Sequence, residues 1–221
     1  DALKPYDGIV MWRAFVYAPN SPDRASQAFD EFMPLDGEFR DNVLIQIKNG
    51  PVDFQPREPF SPLFGGMSKT AMMVEFQITQ EYMGGSNHLV YLSTQLEECL
   101  DSDTYCDNEY STVAGITSGK AYPEVYNTTA IAGVANIGRD KNWCGHYFAQ
   151  SSWYAFGRLA WNAELSSEEI AREWLQQTFS TEPEFVEPVL DMMMTSRETA
   201  VDYMMPLGLH HTFAGAGHYG P

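Results

Sequence analysis

The chain has 221 residues, of which 44% are apolar and 14% aromatic, a composition that excludes a disordered tail, a coiled coil and a collagen-like repeat. Thirteen Lys and Arg against 30 Asp and Glu leave a formal charge of −17. A field of that sign repels nucleic-acid phosphates and anionic membranes, so neither is expected as a partner. No apolar run approaches the ~18 residues of a membrane helix. Residues Asp1–Pro5 carry no basic leader followed by an apolar core.

Cys99, Cys106 and Cys144 form no Cys-x-x-Cys pair, and an odd count of three argues against a disulfide scaffold. The absence of an initiator Met and the abrupt end at Gly217–Pro221 are read as the signs of a piece of a longer chain.

Gly8–Tyr17 is β-branched and aromatic and is predicted to be the first strand. Ser21 as an N-cap and Pro22 at the first helical position predict a helix to Phe32. Asn42–Lys48 is a nearly continuous apolar strand stopped by Asn49-Gly50-Pro51. Met72–Thr79 alternates, with Val74, Phe76 and Ile78 on one face and Glu75, Gln77 and Thr79 on the other. A helix over Asn87–Leu100 would set Leu89, Leu92, Leu96 and Leu100 on one stripe, and Ile131–Ile137 is the fourth strand. The gaps between strands, about 24, 23 and 51 residues, suit helical crossovers and not hairpins.

Beyond residue 145 the pattern is helical only. Tyr147–Trp161 carries Phe148, Trp153, Phe156 and Leu159, and Ser166 with Glu169 reads as a capping box. A third helical segment runs from Thr181 to about Met204, with Pro188 placed near a helix start. The Met192–Met194 run reads as core packing. Strand and helix in alternation, followed by helices, predict a parallel α/β half-fold. Four such units make either a small open sheet or half of an eight-unit barrel, which needs ~250 residues.

In a barrel the functional side chains stand at the C-terminal strand ends and in the loops after them. Here Arg13 lies in the first strand and Lys48 closes the second. Asp53 follows in Asn49–Asp53, and Glu81 follows the third strand in Gln80-Glu81-Tyr82. Each has a structural reading: Arg13 as an edge residue, Lys48 snorkelling into water, Asp53 as a turn-maker, Glu81 in the first turn of a helix. Jointly, two carboxylates supply acid/base capacity for glycoside chemistry and two cations would bind an acidic group on a sugar. Spacing alone leads as far as a barrel hydrolase acting on a charged sugar.

Asn42–Pro59 and Glu75–Tyr82 closely resemble the catalytic region of family 67 glycoside hydrolases, the microbial α-glucuronidases. Ala132–Gly138, Asn142-Trp143, Trp153–Trp161 and Asp202–His211 extend the resemblance over essentially the whole chain. The resemblance implies the last four βα units of a (β/α)8 TIM barrel over residues 1–145, and the start of an all-α C-terminal domain over 146–221. It implies removal, with inversion, of 4-O-methyl-glucuronic acid from the non-reducing-end xylose of xylo-oligosaccharides. Aldouronic acids from glucuronoxylan are then the substrates, and the parent enzyme is a homodimer. By position Asp53 and Glu81 match the two carboxylates proposed to activate water, and Arg13 and Lys48 match residues that bind the substrate carboxylate. The family's general acid is a Glu on an earlier strand, before Asp1.

Two other readings stay open at this point: a sugar-binding or structural piece without activity, and a retaining hydrolase in which Asp53 and Glu81 are nucleophile and acid. His210, His211 and His218 show no regular ligand spacing, so no metal is expected, and the resemblance implies no cofactor. His88 reads as a local hydrogen-bonding residue, and Trp12, Tyr82 and Trp143 as either core or sugar-stacking aromatics. Asn127-Thr-Thr129 is a glycosylation sequon, meaningful only in a secreted eukaryotic protein. A bacterial cytoplasm or periplasm is expected ahead of secretion.

Overall fold

Strands β1 (Val10–Arg13), β2 (Val43–Lys48), β3 (Met72–Gln77) and β4 (Ile131–Val134) form one sheet in the order β1-β2-β3-β4. The structure is a computed structural model that describes residues 1–16, 23, 25–79, 89–137, 139, 141 and 146–205. The β1–β2 and β2–β3 pairs are parallel, with Arg13 opposite Gln46 and Lys48 opposite Glu75. At β4, the Ile78 N–H donates to the Val134 carbonyl at 2.8 Å. Neighbours in space are neighbours in sequence, with no reversal of order. A doubly wound sheet reverses at a switch point; the unreversed order is compatible with part of a βα barrel.

The helices in the crossovers are shorter than the sequence pattern predicts. Helix α1 spans Gln27–Phe32 with Ser26 before it; Ser21 and Pro22 lie outside the described residues. Helix α2 (Leu63–Gly66) and helix α4 (Val113–Thr117) are single turns too short for periodicity to reveal. Helix α3 spans Ser93–Asp101, so Leu92, Leu96 and Leu100 are buried as predicted but Leu89 precedes the helix.

The register puts Leu44, Gln46 and Lys48 of β2 on one face of the sheet, together with Met73 and Glu75 of β3 and Arg13 of β1. That face is layered. Towards the strand starts, Leu44, Ala71 and Met73 form a buried cluster packed by Val125, Tyr126, Ala130 and Ala132. Towards the strand ends the same face is polar. The other face carries Ile45, Ile47, Met72, Val74 and Phe76, all at most 2% exposed. With both faces covered, β3 reads buried at five of its six residues, as parallel strands do.

The chain divides into two compact units. One comprises Asp1–Phe54, Glu58–Phe76 and Cys99–Ala132; the other comprises Gln55–Arg57, Gln77–Glu98 and Gly133–Pro221. In the second unit, helices α5 (Ala149–Trp161), α6 (Ser167–Thr178) and α7 (Pro183–Met204) pack in succession. Phe148, Trp174 and Phe179 meet with ring centroids 5.4–5.6 Å apart, an offset and edge-on cluster suited to aromatic quadrupoles. Ser166 and Glu169 form the predicted capping box, closing two orphan N–H groups at the start of α6. Pro188 lies inside α7, whose first position is held by Pro183. Of the three consecutive methionines only Met193 is fully buried; Met192 is 45% exposed.

Candidate functional site

Four polar side chains meet on the face shared by β1, β2 and β3 at their C-terminal ends. Glu75, between Val74 and Phe76 in β3, is fully buried. Its carboxylate accepts from Arg13 Nε at 2.8 and 3.0 Å and from Nη2 at 2.5 Å, a bidentate pair. Gln46 Nε2 donates to the same carboxylate. Arg13 keeps 44% of its side chain exposed, and its Nη1 edge takes no part in this pair.

Lys48 closes β2 with its side chain only 5% exposed, and its ammonium is bonded to Asp53. The Phe15 ring lies 3.8 Å from Lys48 Nζ and the Phe54 ring 4.8 Å from it. Phe15 also lies 5.4 Å from the Arg13 guanidinium carbon, so one ring touches both cations. Burial is the largest influence on Lys48 and holds its pKa below the ordinary value; Arg13 adds to this, while Asp53 and Glu75 oppose it.

The loop after β2 delivers Asp53. Asn49 anchors it: its N–H donates to the Glu75 carbonyl at 3.0 Å and its carbonyl accepts from Ser61 N at 2.8 Å. Glu58 folds back so that its carboxylate accepts the Val52 N–H at 2.9 Å. Gly50 is required for that approach, because a Cβ there would overlap the Glu58 carboxyl group. Phe54 has φ of 53°, left-handed for a bulky side chain, and is buried at 8% exposure. Such backbone costs on the order of 1–2 kcal/mol and marks a position where the ring's placement outweighs local comfort.

Three of the four residues singled out in the sequence thus converge: Arg13, Lys48 and Asp53. Glu81 lies outside the described residues, as do Tyr82, His88, Trp143, His210, His211 and His218. Trp12 is 56% exposed and tilts against Phe39 at 6.5 Å. Gln46, Glu75, Phe15 and Phe54 belong to the cluster and were not picked out by sequence reasoning. A signal existed for one of them: Phe15 is two residues from Arg13 and shares its strand parity. Among the described residues, no group of three His, Cys, Asp or Glu side chains stands ready to hold a metal ion. Neither Cys99 nor Cys106 forms a disulfide, and Cys99 Sγ donates to the Asn49 carbonyl at 3.8 Å.

The arrangement can bind an anion through a buried ammonium and a half-exposed guanidinium, and it presents beside them a partly open carboxylate able to accept a proton. The sequence agrees with a family pattern along its whole length. Residues 1–143 match the glycosyl hydrolase family 67 middle domain, and residues 144–221 match the glycosyl hydrolase family 67 C-terminus. The chain belongs to glycoside hydrolase family 67.

Among family 67 relatives, alpha-glucuronidase A of Emericella nidulans is 44% identical over 229 residues, covering 100% of this chain and 27% of its own length. The probable alpha-glucuronidase A of Aspergillus fumigatus is 43% identical, again over 100% of this chain and 27% of its own. The alpha-glucuronidase of Hypocrea jecorina is 43% identical over 94% of this chain and 25% of its own. The chain therefore spans about a quarter of the length of the curated relatives it matches. These relatives are fungal and lend no support to the expected bacterial compartment. No helix among the described residues is long and apolar enough to cross a membrane. Asn127 of the sequon is exposed, and its Nδ2 donates to the Asp41 carbonyl at 3.2 Å.

Proposed function

We propose that this chain is the water-activating and uronate-binding part of an inverting α-glucuronidase that releases (4-O-methyl)-glucuronic acid from the non-reducing-end xylose of glucuronoxylan oligosaccharides. In this reading residues 1–145 are the last four units of a (β/α)8 barrel, residues 146–221 begin a helical domain, and the full protein is a homodimer. Arg13 and Lys48 take the uronate carboxylate. Arg13 presents a guanidinium edge whose orientation Glu75 and Gln46 fix from behind; Lys48 acts as a buried point charge. Asp53 and Glu81 together take the proton of the attacking water. The general acid, on the opposite face of the sugar and roughly 6.5–9.5 Å from the base, is supplied from outside these residues.

The observation that carries the reading is the convergence of Lys48, Asp53 and Arg13 on one sheet face at the strand ends. The names of the relatives support the same substrate class. The test is proton NMR of aldouronic acid digestion by the full-length protein, following which anomer of the freed glucuronic acid appears first. Early β-anomer supports inversion, with Asp53 and Glu81 on the water side. Early α-anomer means retention and recasts Asp53 and Glu81 as nucleophile and acid. Absence of any released glucuronic acid overturns the hydrolase reading in favour of a sugar-binding or structural piece.

A further inference from the structure

The strand-end cluster contains two aromatic rings that the proposed chemistry does not use. Phe15 and Phe54 approach the Lys48 ammonium at 3.8 and 4.8 Å, and Asp53 is bonded to the same nitrogen. An ammonium is compact and strongly hydrated, and its flexible stem lets it wander. Here the side chain is nearly dry, at 5% exposure, so water does not supply its solvation. The negative ring faces take over that role in part, because cation–π attraction strengthens where the cation is desolvated. The placement of Phe54 is held against an unfavourable left-handed backbone. Phe15 is 43% exposed, beside Met11 at 54% and Trp12 at 56%. Its ring faces two cations, the Lys48 ammonium and the Arg13 guanidinium.

We propose that Phe15 and Phe54 are positioning residues that clasp the Lys48 ammonium between two aromatic rings, so that it meets an anionic substrate group dry and in one orientation. This rests on the reading of Lys48 as a uronate-binding cation. Asp53 takes one direction of the ammonium and the rings restrict the others, leaving the open side for the substrate carboxylate. Phe15, shared with Arg13, also ties the two cations together, so that both address one carboxylate.

The experiment uses the full-length protein, with glucuronic acid binding followed by calorimetry and turnover of an aldouronic acid followed kinetically. Phe15→Leu keeps the apolar bulk and removes the π face; Phe15→Tyr keeps the face. The expected result is a Kd for glucuronic acid and a KM raised about five- to thirty-fold in F15L, from the ~1–2 kcal/mol range of desolvated cation–π contacts. F15L should keep kcat within about two-fold, and F15Y should restore KM. Phe54→Leu should act in the same direction, with Phe54→Tyr as its rescue. In a Lys48→Met background, F54L should have little further effect on Kd, because the cation that Phe54 holds is gone. If F15L and F54L bind as tightly as the parent while K48M binds weakly, the clasp is wrong and the role of Lys48 survives. Equal losses in F15L and F15Y would also sink the clasp, since the ring face would then be irrelevant. If K48M itself binds glucuronic acid normally, the underlying reading of the site fails.

Discussion

Gly50 and Glu58 offer a sharp test of how the Asp53 loop is built. A methyl group on Gly50 would overlap the Glu58 carboxyl carbon, so Gly50→Ala must expel that side chain. Expulsion strips the Val52 N–H of its acceptor at 2.9 Å. Orphaning a buried donor costs about 1–3 kcal/mol; Val52 is only partly buried, so about 1–2 kcal/mol applies. Restricting the unfolded chain returns roughly 0.5 kcal/mol, leaving a net loss near 1 kcal/mol. Glu58→Ala loses the same bond without any clash and should cost about 1.5 kcal/mol. In the double variant the methyl group added at position 50 fills the vacated space and the bond is lost once, so the double should cost about 1 kcal/mol, less than the ~2.5 kcal/mol sum. Urea unfolding of the full-length protein measures the three energies, and amide exchange of Val52 localises them. Additive singles, or a Val52 amide as protected in G50A as in the parent, would refute the reasoning.

Arg13→Ala removes the cation from a fully buried Glu75 and should cost about 2–3 kcal/mol, the lower end for buried pairs because Arg13 is half exposed. Arg13→Met with Glu75→Leu should recover more than half of that loss while abolishing uronate binding, checked by urea midpoints and calorimetry. Tyr126→Phe leaves the Met72 N–H without its acceptor at 3.1 Å and should destabilise by about 1–2 kcal/mol. Burial pushes the Tyr126 phenol up to about 12 from its ordinary 10. Its contribution is therefore complete below pH 10 and lost as pH rises from 10 through 12, a decline of roughly 3 kcal/mol that Y126F should lack in alkaline melts. Ser166→Ala breaks the α6 capping box and should cost about 1 kcal/mol, with exchange faster at the Glu169 amide.

The four strands were legible as short apolar runs bounded by breakers; burial on both faces holds for β2 and β3 but not for β1, where Met11 and Trp12 are more than half exposed. The strand ends were less so: Gly8–Tyr17 shrinks to Val10–Arg13, since pairing with β2 and not side-chain preference decides where β1 stops. The alternation in Met72–Thr79 correctly set Glu75 opposite Val74 and Phe76 but implied a solvated face. Composition of one strand cannot say what covers its second face, and here Arg13 and Gln46 do. Arg13, Lys48 and Asp53 were legible as charges at successive strand ends. Phe54 was not, because an aromatic beside a cation has no signature until the fold brings 48 and 54 together, and Phe15 had only its parity with Arg13 to mark it. Gly50 read only as a breaker, although its need arises from a side chain eight residues on.

The cluster separates two carboxylates that the sequence treats alike. Glu75 and Asp53 each stand on a cation, and the four charges of Arg13, Glu75, Lys48 and Asp53 cancel, in a chain that carries −17 overall. Their surroundings differ. Glu75 has no exposed surface and is gripped by a bidentate guanidinium and an amide, so it cannot change partner without leaving a buried charge uncompensated. Asp53 keeps 26% of its side chain open, on a loop and not on a strand. It can reach water. Burial separates the two carboxylates: Glu75 is fixed beneath Arg13, and Asp53 is the one left partly open.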